Sequence, residues 1–557
     1  MNLFPALSTQ TLRGDLFGGV TAAVVALPLA MAFGVASGAG ATAGLYGAIF
    51  VGLFAALFGG TPVQISGPTG PMTVVMAAVF VQYTSLFPAD PAHGAALAFT
   101  VVMLGGLFQI LFGVLKLGRY IELVPHPVVS GFMSGIGVII ILLQLAPLFG
   151  ITGSARPLEA LLAVPSFLGQ LHPPSLALGL LSLLLVYGVA MGLPRLNRMI
   201  PAPLLTMIVG TVVYLVVLQD EVGVQVIGQI PTGLPLPQVP VIDMQLLMQM
   251  LMSALTLAAL GSIDSLLTSL VADNLTRTQH RPDRELIGQG IGNTIAGLFG
   301  GLPGAGATMR TVINVKAGGR SEWSGVIHAL ILLAMVLGAG GFAESIPKAV
   351  LAGILIKVGT DIIDWDYLKK IRTAPLPGML MMFSVLLMTV FFDLIQAVAF
   401  GVVMAAMVFV KRMTELQLQT VRLYRGLESD PPFLDAETQA LLSEAQGKVV
   451  IYQIGGPINF GAAKGMLRKL SEAGAYHVLV LDLSAVTLMD SSSIRALGEL
   501  VAYVRELGRS LQVVEPPPVV QTMLTRQGVF RDLVPNQRHF NLRSAVRYAA
   551  NAPIDRS

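Results

Sequence analysis

The chain has no cysteine in 557 residues and only two tryptophans. Without thiols there is no disulfide, no thiolate metal site and no cysteine nucleophile. Charge is scarce too. Asp, Glu, Lys and Arg make up 12% of the residues while 54% are hydrophobic, against roughly 25% charged in an average soluble domain. That balance excludes an ordinary water-soluble globule. His126, His328 and His477 are isolated, with no metal-ligand spacing around them, so they read as structural. The formal net charge of +3 comes mostly from basic residues in short segments between apolar runs. It reads as a topology signal and argues against nucleic acid as a partner.

What the sequence has is a series of about fourteen apolar runs between Leu16 and Val410, several near the ~20 residues a helix needs to cross a bilayer. The first is followed at once by others, which makes it a membrane span and not a cleaved signal. Basic pairs such as Lys116 and Arg119, Arg195 and Arg198, and Lys411 and Arg412 fall at the ends of even-numbered runs. Asp90, Asp220 and Asp243 fall on the other side, and Asp393 is expected at a turn between the last two spans. The expectation is an even span count with both termini cytoplasmic, in a bacterial inner membrane.

Two stretches interrupt this pattern. "ISGPTGPMTVV" (Ile65 to Val75) and "GLPGAGATMRTV" (Gly301 to Val312) place prolines and glycines where helices would otherwise run on. A shift of about 237 residues lays "TGPMTVV" on "GATMRTV" and "ALPLAMAFG" near "SIDSLLTSL", a weak internal repeat of the kind transporters carry. Seven spans per half would invert the second half relative to the first. After Arg412 the composition turns polar. "KVVIYQI" and "HVLVLDL" read as strands and "SSIRALGELVAYVREL" as an amphipathic helix. The expected organisation is a transmembrane domain over 1–415, a linker over 416–439 and a small α/β cytoplasmic domain over 440–557.

"GDLFGGVTAAVVALPLAMAFGVASGAGATAGLYGA", "SGPTGPMTVV", "SLVADNLTRTQHRPDRELIGQGIGN" and "VLDLSAVTLMDSSSIRAL" together resemble the sulfate permease (SulP, solute carrier 26) family. The resemblance implies fourteen spans as two inverted seven-span repeats, with a core and a gate moving against each other, followed by a STAS domain. It implies a homodimer, a partner-binding role for the STAS domain, and no enzyme activity or cofactor. "GATAGL", "LTRT", "GQGIGN" and "TDIIDW" place the chain nearest the sodium-dependent bicarbonate-transporting members.

In such members the third and tenth spans begin inside the membrane, after extended stretches that here are Ile65 to Pro71 and Gly300 to Ala307. Helix starts expose N–H groups and a partial positive charge, so two of them facing one another suit an anion. Thr69, Gly70, Ala307 and Thr308 are the matching anion positions. Asp264 is a carboxylate inside an apolar run, a functional candidate by default. Thr268 lies one turn on along the same face. The resemblance assigns sodium to Asp264, Thr268, Gly306 and Thr308. Two other readings stand: Asp264 as a structural ion-pair partner of Arg310, or as a proton carrier. Arg310 and Gly67 depart from the bicarbonate pattern, which puts glycine and glutamate there. Arg310 therefore opens proton-coupled transport of sulfate or a dicarboxylate such as fumarate as the second function, with a passive anion channel third. In the tail, Ser491 matches the serine that soluble anti-sigma antagonists phosphorylate. The alternative is that Asp490 and its serines cap a helix.

Overall fold

The computed structural model describes residues 9–551 except 122–124, 154–155, 220, 222, 229–235, 371, 393, 427–433 and 532. The acidic positions Asp220 and Asp393 thus lie outside the described residues. The chain divides into two units, Met1–Val403 and Met404–Ser557.

The first unit is helical because its long apolar runs satisfy their backbone internally, as a bilayer requires. Six described helices are long and apolar enough to cross a membrane: Thr11–Ala36, Ala41–Phe58, Pro91–Val114, His126–Leu148, Pro173–Gly192 and Leu247–Thr276. Others are shorter, including Gly70–Leu86 and Thr308–Ala317, each of which starts only after a proline- or glycine-rich break. The helices sort into two packing groups. Thr9–Ala36, Ala41–Phe58, Gly70–Leu86, Pro91–Val114, Leu247–Thr276, Pro282–Leu298, Thr308–Ala317 and Trp323–Ala343 pack on one another. His126–Leu148, Pro157–Gln170, Pro173–Gly192, Ala202–Val213, Lys348–Ile362 and Leu376–Phe391 form the second group. This grouping agrees with a fold of a core and a gate. Thr9–Ala36 touches both groups, through Lys348–Ile362 and Ala202–Val213.

With little hydrophobic driving force between helices in lipid, close packing relies on small residues. The pair Pro91–Val114 and Pro282–Leu298 shows this well. A methyl group on Gly106 would lie 2.5 Å from the Gly290 carbonyl, and one on Gly290 would lie 2.5 Å from the Gly106 carbonyl.

The second unit carries a five-stranded sheet in the order Arg422–Tyr424, Val449–Ile458, Val478–Met489, Ser510–Val514, Arg538–His539. The first pairing is antiparallel and the rest are parallel. Side chains alternate between the faces. Val450, Tyr452, Leu479 and Leu481 pack with helices Phe460–Ser471, Ser491–Glu506 and Pro518–Arg526. Val449, Ile451, Val478 and Val480 pack with Ala436–Glu444 and Leu542–Asn551. Both faces are covered, which explains why these strands read as unbroken apolar runs. The edge strand Arg422–Tyr424 and the start of helix Ala436–Glu444 fall within the stretch expected as a linker, of which 427–433 lies outside the described residues.

Candidate functional site

The two interrupted stretches meet. Ser66–Gly67 and Ala305–Gly306 form a two-stranded antiparallel ribbon, with Ser66 opposite Gly306 and Gly67 opposite Ala305. The ribbon extends through Ala307 N–H to the Ile65 carbonyl at 2.8 Å, and Ile65 N–H donates to Thr311 Oγ1 at 3.0 Å. Gly67 has φ 150°, a region that favours glycine. From the ribbon each strand feeds a helix. Gly70–Leu86 has Thr69 as N-cap and Pro71 in its first positions, and Thr308–Ala317 has Ala307 as N-cap. Neither cap makes a side-chain hydrogen bond to its helix. Both helix starts therefore leave leading N–H groups and the positive ends of their dipoles directed outward.

Helix Leu247–Thr276 runs beside them. Asp264 is buried and its Oδ2 accepts from Thr69 Oγ1 at 2.7 Å. One turn on, buried Thr268 donates to the Gly306 carbonyl at 2.9 Å and its hydroxyl lies 2.8 Å from Thr308 Oγ1. Ser265 Oγ accepts from Gly306 N–H at 3.1 Å. The oxygens of Thr268, Gly306 and Thr308 thus converge. A cavity of about 420 Å³ opens at this point, bounded by residues of both helix groups. Thr69, Gly70, Ala307, Thr308, Arg310, Asp264 and Gly306 all line it, whereas Thr268 stands behind the lining.

Arg310 is buried, 3% exposed, and donates to the Pro68 carbonyl. It makes no ion pair with Asp264: that carboxylate is bonded to Thr69, and the described ion pairs do not join the two residues. The structure thus shows no direct ion-pair contact between Asp264 and Arg310, the partners of which are Thr69 and Pro68. The guanidinium has room because position 67 is glycine. A Cβ there would lie 2.9 Å from an Arg310 terminal nitrogen and 3.2 Å from Ala48 Cα. The two departures from the bicarbonate pattern, Gly67 and Arg310, are one steric unit.

The model of the sulfate permease family matches residues 12–385, and that of the STAS domain matches 440–547. The chain belongs to the sulfate permease family. It is 45% identical over 549 residues to the bicarbonate transporter BicA of Synechocystis sp., covering 98% of this chain and 95% of that one. The solved transmembrane domain of a cyanobacterial BicA superposes with TM-score 0.65 at 51% identity, covering 71% of this chain and all of that one, 100%. The overall structure of SLC26A9 matches at TM-score 0.80 and 20% identity over 98% of this chain and 91% of that one, which shows the shared fold. The chain is thus a membrane transporter of the sulfate permease fold with a C-terminal STAS domain.

The surroundings of several residues were not readable from the sequence. Thr69, expected at the anion, spends its hydroxyl proton on Asp264. Glu285 is another buried carboxylate, accepting from Gly60 N–H at 2.8 Å, Gln64 Nε2 at 2.7 Å and Gln289 Nε2 at 2.8 Å. In sequence it passes for an acid of a helix first turn, a favourable place for one. His328 is fully buried and neither ring nitrogen has a hydrogen-bond partner among the described residues. Lys357 and Asp361 line the cavity from the second helix group.

In the STAS unit, exposed Ser491 is the first residue of helix Ser491–Glu506. The N-cap is Asp490, which accepts from Ser493 N–H, Ser493 Oγ and Phe460 N–H, each at 2.8 Å. Partial burial acts to raise the Asp490 carboxyl, but these hydrogen bonds outweigh it and hold the group below the usual carboxylate range. The capping reading is thereby given a full set of partners.

Proposed function

We propose that the chain takes up bicarbonate together with sodium across a bacterial inner membrane, by alternating access of a core against a gate. Fourteen spans in two inverted halves, both termini cytoplasmic, and a homodimer belong to the same reading. So does the division at 415 and 440. The observation that carries it is the meeting of two uncapped helix starts with a buried carboxylate at one cavity. Leading N–H groups at Gly70, Thr308 and their neighbours favour an anion. Asp264 with the oxygens of Thr268, Gly306 and Thr308 supplies the hard ligands a small cation prefers.

The charges of the lining support coupling. Asp264 and Asp361 balance Arg310 and Lys357, and the other lining residues are uncharged. An anion entering alone leaves one uncompensated charge in a low-dielectric cavity, which is costly. A sodium ion entering with a monovalent anion removes that imbalance. The test is uptake of labelled bicarbonate, sulfate and fumarate into proteoliposomes with and without an inward sodium gradient. Bicarbonate uptake driven by sodium supports the reading, and uptake of any of the three that responds only to a proton gradient replaces it.

Arg310 favours a second reading, proton-coupled transport of a divalent anion, because it adds a full positive charge beside the helix starts. Arg310→Gly is expected to leave bicarbonate uptake unchanged or faster, and to weaken competition by sulfate about tenfold, the scale of one charge-assisted hydrogen bond. If sulfate and fumarate never compete in the parent protein, the divalent reading fails. A passive channel needs no buried carboxylate at the site, and currents linear in driving force would be its mark.

For the STAS domain we propose assembly or partner binding over phosphoregulation. A phosphate on Ser491 would gain from the helix dipole but sit beside the ionised Asp490. Ser491→Ala is expected to keep uptake within about twofold of the parent, since surface substitutions rarely exceed about ±0.5 kcal/mol. Full activity in Ser491→Ala with none in Ser491→Glu would instead establish a phosphoswitch.

A further inference from the structure

Helix Lys348–Ile362 belongs to the second helix group, yet Ile354, Lys357, Val358 and Asp361 face the same cavity as the helix starts of the first. The Lys357 ammonium donates to both carboxylate oxygens of Asp361, four residues on. Its side chain is only 17% exposed and that of Asp361 36%. The ammonium also lies 5.4 Å from the centre of the Tyr187 ring, whose hydroxyl is 2.7 Å from Thr360 Oγ1. The lysine is thus held in place from two sides, facing the cavity.

The pair is poorly placed as a brace for its own helix. The favourable order puts the acid N-terminal to the base, and here it is reversed. Asp361 moreover sits in the last turn of a helix that ends at Ile362, where the dipole disfavours negative charge. A carboxylate kept there against both preferences needs another reason. What it offers Lys357 is a pair of oxygens on one flat carbon, the same face that bicarbonate or a carboxylate presents.

We propose that Lys357 is the gate-side contact of the transported anion, and that Asp361 occupies it as an internal stand-in until a flat two-oxygen anion displaces it. The proposal rests on the cavity being the anion site. On this mechanism the ammonium always keeps a carboxylate-type partner, and loading the anion transfers it from the gate's own carboxylate to the cargo. That transfer links the second helix group to the first through the anion itself, so occupancy and gate position become coupled.

The experiment measures initial rates of labelled bicarbonate uptake into proteoliposomes at alkaline pH, as a function of concentration, for the parent, Lys357→Gln, Asp361→Asn, the double variant and Lys357→Arg. Thermal melting in detergent checks that each is folded. Lys357→Gln is expected to raise KM about tenfold, the scale of one lost charge-assisted hydrogen bond. Asp361→Asn removes the competitor and is expected to lower KM several-fold. The double variant should resemble Lys357→Gln, and Lys357→Arg should retain most of the affinity. A structural brace gives another pattern: both single variants then raise KM or lower the melting temperature alike, and that result overturns the proposal. A parent protein that carries none of bicarbonate, sulfate or fumarate overturns the anion-site reading itself. A parent that carries bicarbonate while Asp361→Asn leaves KM unchanged overturns the displacement alone.

Discussion

Asp264→Asn is expected to abolish the sodium dependence of uptake while leaving a folded, membrane-inserted protein. The substitution keeps the volume, and the amide oxygen still accepts from Thr69 Oγ1, the partner that Asp264 has at 2.7 Å. What is lost is the one negative charge on helix Leu247–Thr276 at the cavity. The lining then holds Arg310 and Lys357 against Asp361 alone, so a monovalent anion entering by itself restores neutrality. Anion binding should persist or tighten without sodium, and uptake should no longer be driven by a sodium gradient. Coupling free energies between sites are typically about 1–3 kcal/mol, so the sodium stimulation should fall about 5- to 150-fold. The decisive measurement is the ratio of initial rates with and without sodium, beside anion binding in detergent under the same two conditions. An Asp264→Asn protein that keeps the parent's sodium stimulation removes Asp264 from the coupling site.

The broken helices were legible because proline and glycine act locally. "SGPTGP" and "GLPGAG" are breaks in any context, and their recurrence about 237 residues apart pointed to a pair of related sites. The structure joins them as one ribbon with Ser66 opposite Gly306. The strands of the STAS domain were legible for a similar reason, as short apolar runs bounded by turn residues. The first of the two extends beyond its expected end because Gly455 to Ile458 stay paired with Ala485 to Met489 through two register irregularities, and "GGP" conceals that pairing. Side-chain partners far apart in sequence were not legible. Thr69 and Asp264 are separated by 195 positions, and no periodicity records which hydroxyl reaches a given carboxylate. Glu285 was hidden among charged neighbours in "RPDRELIG", and Asp361 by its closeness to the amphipathic "DWDYLKK". In each case the residue type was visible but its surroundings were set by packing between helices. The hydrogen-bond partners of Asp264 and Arg310 were hidden for the same reason, since Thr69 and Pro68 are supplied by the extended stretch.

Gly106→Val should be the most damaging single substitution of those proposed, although position 106 touches neither ion. A Cβ at Gly106 would lie 2.4 Å from Thr294 N and 2.5 Å from the Gly290 carbonyl. These are backbone atoms, so no rotamer change relieves the clash and the two helices must separate. Overpacking typically costs about 1–3 kcal/mol and occasionally more; a backbone-to-backbone contact belongs at the upper end. The helix that would be displaced, Pro282–Leu298, also holds the ribbon. Gln289 Nε2 donates to Ser66 Oγ at 2.6 Å, Asn293 Nδ2 to the Gly304 carbonyl at 2.9 Å, and Gly304 N–H returns a bond to Asn293 Oδ1 at 2.7 Å. Glu285 on the same helix fixes Gly60 and Gln64. Moving this helix therefore loosens both extended stretches and, with them, the two helix starts at the cavity. The expected result is a drop of several degrees or more in melting temperature, or failure to yield monodisperse protein, together with loss of uptake. Gly188→Ala is the matched control, because a Cβ at that helical position meets nothing within 4 Å; it should leave uptake intact and melting unchanged or slightly raised. A Gly106→Val protein that melts and transports like the parent would mean that the close approach of these helices does not position the site.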